Sequence, residues 1–107
     1  ASRIPDSGDV QHALGLSLVR QKRNAEAIEA LRQATRLSPE NARYVYVYAV
    51  ALNSSGDTAQ AIMVLQGAHN RFPNNTDILA ALVAFHRDQG NQAAARSYAD
   101  KLRVLAP

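Results

Sequence analysis

Pro39, Pro73 and Pro107 stand 34 residues apart each time, and the residues between them echo at the same period. A chain that copies itself at such a spacing folds as stacked units of one supersecondary kind, each unable to bury its apolar face alone. Before Pro39 the apolar and small positions are Leu14, Gly15, Leu18, Ala27, Leu31 and Ala34. Before Pro73 the same offsets hold Tyr48, Ala49, Leu52, Ala61, Leu65 and Ala68. A weaker third copy, Leu82, Val83, His86, Ala95, Ala99 and Leu102, precedes Pro107.

Each unit reads as two amphipathic helices with a break between them. The breaks are Lys22-Arg23-Asn24, Gly56-Asp57 and Gly90-Asn91. A glycine there takes the left-handed conformation that ends one helix, and the following Asp or Asn caps the next. Asp57 with Gln60 further has the form of a capping box. Lys22 stands where the other two turns have glycine, so a left-handed backbone at that position is strained by up to about 1 kcal/mol. Ala27, Ala61 and Ala95 are small because a longer side chain would push two closely crossing helices apart. Gly15 and Ala49 play the matching part on the first helix of each pair, and the larger Val83 predicts slightly wider packing in the last.

The stretch from Ala42 to Gly56 is almost wholly apolar between Arg43 and Asn53. Tyr44 to Val47 alternates aromatic and β-branched residues with the period of a strand. The flanks decide for helix: Asn41 is an N-cap, Gly56 a stop, and the segment exceeds the usual strand length. A helix with no polar face to spare belongs in the middle of a stack, packed on most of its sides.

With 107 residues, 47% of them apolar, the chain forms one small domain with a modest core. The absence of cysteine excludes disulfides, thiolate metal sites and cysteine nucleophiles. The net charge of +3 is spread along the chain without a block of like sign, which argues against a nucleic-acid footprint. No run of membrane-spanning length or signal-like segment occurs, so a soluble protein is expected, cytoplasmic or periplasmic without distinction. Residues 1–8, with Pro5 and Gly8, read as a lead-in.

The 34-residue period and the recurring Leu-Gly, Ala, Leu, Ala, Pro skeleton resemble three tandem tetratricopeptide repeats, and the resemblance covers Gly8 to Pro107. The sequence departs from that pattern in having no Trp at Gln11, Val45 or Leu79, His86 in an aromatic slot and Ala99 in a large-residue slot. The resemblance implies an all-α superhelical solenoid of about six antiparallel-paired helices, with repeats at 9–41, 42–75 and 76–107. The helices are expected near 9–21, 24–37, 42–55, 58–71, 76–89 and 92–105.

In that fold the first helix of each pair lines a concave surface where partner peptides lie. The implied lining is Asp9, His12, Leu16, Val19 and Arg20, then Arg43, Tyr46, Val50, Asn53 and Ser54, then Asp77, Ala80, Ala84, Arg87 and Asp88. An apolar strip ringed by Arg20, Arg43 and Arg87 suits a protein or peptide segment that is partly apolar and partly acidic. The family's clamp for chaperone C-terminal carboxylates, built from Lys, Asn and Arg, is absent, since the matching places hold His12, Leu16, Val47, Asp77 and Ala81.

No catalytic, cofactor or metal site is expected. His12, His69 and His86 lie far apart without carboxylates at ligand spacing, and the serines lack any signature of an activated nucleophile. His86 is expected to meet water at an unfinished end of the stack. The charged residues of the second helices, among them Glu26, Glu29, Arg32 and Asp100, are spaced for surface ion pairs. The leading expectation is a non-catalytic interaction scaffold. Two others stand beside it: the excised repeat portion of a larger enzyme or bacterial multihaem-cytochrome-like redox protein, and a homo-oligomer packing through an exposed end of Leu82, Tyr98, Leu102 and Leu105.

Overall fold

A computed structural model describes residues 7–105 and places six α-helices in chain order: α1 (Gly8–Arg20), α2 (Asn24–Leu37), α3 (Ala42–Ser54), α4 (Thr58–Arg71), α5 (Thr76–Asp88) and α6 (Gln92–Leu105). No strand occurs among the described residues, and the Tyr44–Val47 alternation lies within α3. Capping explains where the helices start. The side-chain oxygens of Ser7, Asn41, Asp57, Asn75 and Asn91 accept the backbone N–H of Asp9, Tyr44, Gln60, Ile78 and Ala94. Only α2 begins without such an acceptor, because Arg23 occupies its cap. The lead-in expected through Gly8 falls largely on residues 1–6, outside the described residues, while Gly8 itself opens α1.

The turns inside each pair keep one geometry. Gly56 and Gly90 adopt φ of 95° and 79°, and Lys22 adopts 62° at the equivalent place, so the anticipated strain is present. Each pair packs on itself, and α2 and α4 pack in turn on the following α3 and α5. The result is an elongated stack of 48 × 26 × 19 Å.

Leu31, Leu65, Ile78, Leu79 and Leu82 are fully enclosed, and Ala27, Ala61 and Ala95 are buried in all three pairs. A Cβ on Gly15 would stand 2.6 Å from Leu31 Cδ2, which shows why the first pair needs glycine there. The main core runs from α2 to α5, with a small separate cluster of Leu18, Ala27 and Ala30 under the first pair.

Three expectations are corrected. The apolar α3 was expected to be packed on most of its sides, but its Val47, Val50 and Ala51 stay half-buried, while α5 carries seven buried residues. His86 does not meet water: it is buried, and its ring stacks 5.6 Å from that of Tyr98. Leu82 is fully enclosed and forms no part of an exposed end, because α5 is covered by helices on both sides.

Candidate functional site

Among helices not adjacent in sequence, α3 packs against α5, and His12 of α1 stacks on Tyr44 of α3, so α1, α3 and α5 lie along one side of the stack, the inner side in a tetratricopeptide-like arrangement. All fifteen residues expected to line this side remain at least partly exposed. They do not form one continuous site. Leu16, Val19, Val50 and Ser54 converge on a cavity of about 200 Å³ between α1 and α3. Its base comes from α2, where Asn24, Ala27, Ile28 and Leu31 close it, and Val47 and Ala51 complete the α3 wall.

Asn24, Ile28, Val47 and Ala51 were missed by sequence reasoning. Val47 and Ala51 carried a usable signal, since positions 47, 50, 51 and 54 form one helical stripe. The α2 residues carried none, because a second helix is expected to face away from the inner surface.

A second group lies towards the start of α1. The His12 ring stacks on that of Tyr44 at 4.3 Å, and the Tyr44 hydroxyl donates to the Asp9 carboxylate. That hydrogen bond, reinforced by burial, pushes the Tyr44 phenol up to about 12. Burial first, and then the positive Arg43, hold His12 below its ordinary value, with Asp9 opposing them. This group joins α1 to α3 and leaves the Arg43 side chain exposed beside it.

The remaining predicted residues lie outside the cavity. Tyr46 is half-buried against the main core, and the Asn53 carboxamide oxygen accepts a 2.6 Å hydrogen bond from the Thr58 hydroxyl. Ala80, Ala84 and Arg87 extend the inner face along α5, all exposed. The ion pairs among the described residues are Arg23–Glu26, Glu29–Arg32 and Asp100–Arg103, so Arg20, Arg43 and Arg87 present unpaired charge. No group of three or more potential metal ligands occurs among the described residues, and no described helix is long and apolar enough to cross a membrane.

Residues 12–76, more than half of the chain, match the family model described as tetratricopeptide repeat. The chain belongs to the tetratricopeptide-repeat family. Among curated proteins it is similar to interferon-induced protein with tetratricopeptide repeats 3 from Mus musculus, with 26% identity over 90 residues, 81% of this chain and 22% of the relative. Among solved structures, a crystal structure of MamA superposes with a TM-score of 0.85 at 20% identity, covering 94% of this chain and 58% of that one. A MamA MSR-1 structure gives 0.80 at 25% identity, with coverages of 94% and 58%. The chain thus spans little more than half of these structures and about a fifth of the curated relative. The solved structures show the same solenoid fold, and membership of the tetratricopeptide-repeat family makes the chain a protein-interaction module of the general kind.

Proposed function

We propose that this three-repeat unit, with repeats at 9–41, 42–75 and 76–107, holds a segment of a partner protein along the inner face of α1, α3 and α5 and performs no chemistry itself. The observation that carries the proposal is the apolar cavity between α1 and α3, where Leu16, Val19 and Val50 remain partly open although their neighbours Leu31 and Ala27 are sealed. Contiguous apolar surface left open beside a packed core marks a contact site. Tyr46 and Arg43 lie along the same face and offer a rigid ring and a planar donor fork. Titration of a partner segment against Tyr46→Ala, Arg43→Ala and Val50→Glu is the test. Affinity is expected to fall about tenfold for the cavity variant and less for the other two. Unchanged affinity in all three would remove the inner face from the interaction.

A second reading, in which this array serves a larger protein carrying its own activity, is favoured by the greater length of the relatives it matches. The reading frame around the segment decides it, since a frame confined to these residues would exclude a catalytic or redox neighbour.

A further inference from the structure

We infer that the groove selects a peptide in which a branched aliphatic residue is flanked by carboxylates, the aliphatic chain entering the α1–α3 cavity and the acids facing Arg20 and Lys22. This rests on the interaction reading above and adds the chemistry of the occupant. The cavity walls are almost wholly hydrocarbon, from Leu16, Val19, Ile28, Val47 and Val50, and a volume of about 200 Å³ is the scale of a single large side chain. Two exposed cations flank its lining residues in the chain at the first turn. Val19 lines the cavity and precedes Arg20; Asn24 lines it two residues after Lys22.

Both cations are exposed and neither enters an ion pair among the described residues. The nearest acid along the chain, Glu26, is already held by Arg23 through two oxygens at 2.6 and 2.7 Å. The polar groups on the α3 side are also engaged or neutral: the Asn53 oxygen accepts from Thr58, and Ser54 carries no charge. Uncompensated positive charge beside an uncharged apolar cavity is complementary to an acidic, aliphatic segment.

The identity of residue 22 supports the same conclusion. Gly56 and Gly90 fill the equivalent left-handed position at no steric cost, whereas Lys22 holds it under strain. The Lys22 N–H donates to the Val19 carbonyl oxygen as Gly56 and Gly90 donate to those of Asn53 and Arg87, so the lysine gains no backbone bond that the glycines lack. Charge at this turn is what the lysine adds that a glycine would not.

The test uses a blocked peptide of serine and glycine with one central leucine between two aspartates, titrated into the protein and followed by backbone amide shifts. Two control peptides replace both aspartates by asparagine or the leucine by alanine. The aspartate–leucine peptide is expected to shift the amides of Val19, Asn24, Val50 and Ser54. Affinity should drop about three- to fivefold in Lys22→Gly and about tenfold in Arg20→Gln/Lys22→Gly. Lys22→Gly should at the same time raise the melting temperature by roughly 2–6 °C, so weaker binding cannot be put down to unfolding. Equal affinity of the asparagine peptide would overturn the inference and leave the groove standing. Equal affinity of the alanine peptide, or shifts confined to other surfaces, would overturn the groove as well. Failure of the aspartate–leucine peptide to bind overturns the inference.

Discussion

Two glycines in helix interiors show how one substitution changes sign with its surroundings. Gly67, in α4, has open space where a Cβ would go, and its φ is not left-handed. Alanine there should stabilise by about 1 kcal/mol through helix propensity and the lower entropy of the unfolded chain. Gly15, in α1, faces the fully buried Leu31 at Cγ and Cδ2, both 2.6 Å away, and the Ala27 backbone carbonyl oxygen at 3.3 Å. Overpacking of about 1–3 kcal/mol exceeds the propensity gain, so Gly15→Ala should destabilise. Urea midpoints of the two variants settle this, and stabilisation in both would mean that position 15 does not set the spacing of the first pair. The role of Gly15 was legible because Ala49 fills the same slot one repeat later. Gly67 was opaque, since its counterparts Gln33 and Lys101 are long and polar.

Between elements, the contact of α1 with α3 through Asp9, His12 and Tyr44 imposes a dependence on pH at both extremes. The Tyr44 phenol is raised from 10.0 to about 12 in the folded chain. Its contribution is therefore complete below pH 10.0 and is lost as pH climbs towards about 12. Tyrosinate absorbance should show Tyr44 ionising at higher pH than it does in Asp9→Asn, where the hydrogen bond to a charged acceptor is gone. His12 has the opposite sense. Its folded value lies below 6.5, so the unfolded chain takes up the proton first and stability declines as pH falls below 6.5. Chemical denaturation across that range should show a smaller decline in His12→Gln than in the native chain, and an equal decline would place the titrating group elsewhere. Helix positions were readable from caps and glycine stops to within one residue. The His12–Tyr44–Asp9 group was not readable, because it joins side chains 35 residues apart in sequence through a contact that the repeat pattern does not encode. The exposure of the expected lining residues was legible, but their division between a cavity and a polar link depends on α2, which the pattern assigns to the outside.

At the scale of the molecule, a stack in which each repeat touches only its neighbouring repeats holds its elements with unequal strength. α5 contributes seven buried residues, whereas Ala95 is the one residue of α6 that is buried among those described. Beyond its packing along α5, α6 is held by Tyr98, set edge-on to His69 at 5.7 Å and stacked on His86 at 5.6 Å, so that one ring bridges α4, α5 and α6. The weak third repeat expected from Ala99 and His86 thus acquires an aromatic bridge in place of a large aliphatic core. Amide exchange in the native chain should accordingly show α5 protected up to the global unfolding free energy, with α6 opening locally at lower cost. Tyr98→Ala, removing a half-buried ring, should lower α6 protection by about 1–3 kcal/mol while leaving α1 and α2 nearly unchanged. Tyr98→Phe should keep most of it, because the ring contacts rather than the hydroxyl do the joining. Equal loss of protection in all six helices would show instead that the three pairs unfold as a single unit, and that the bridge at Tyr98 stabilises the whole stack rather than its last helix.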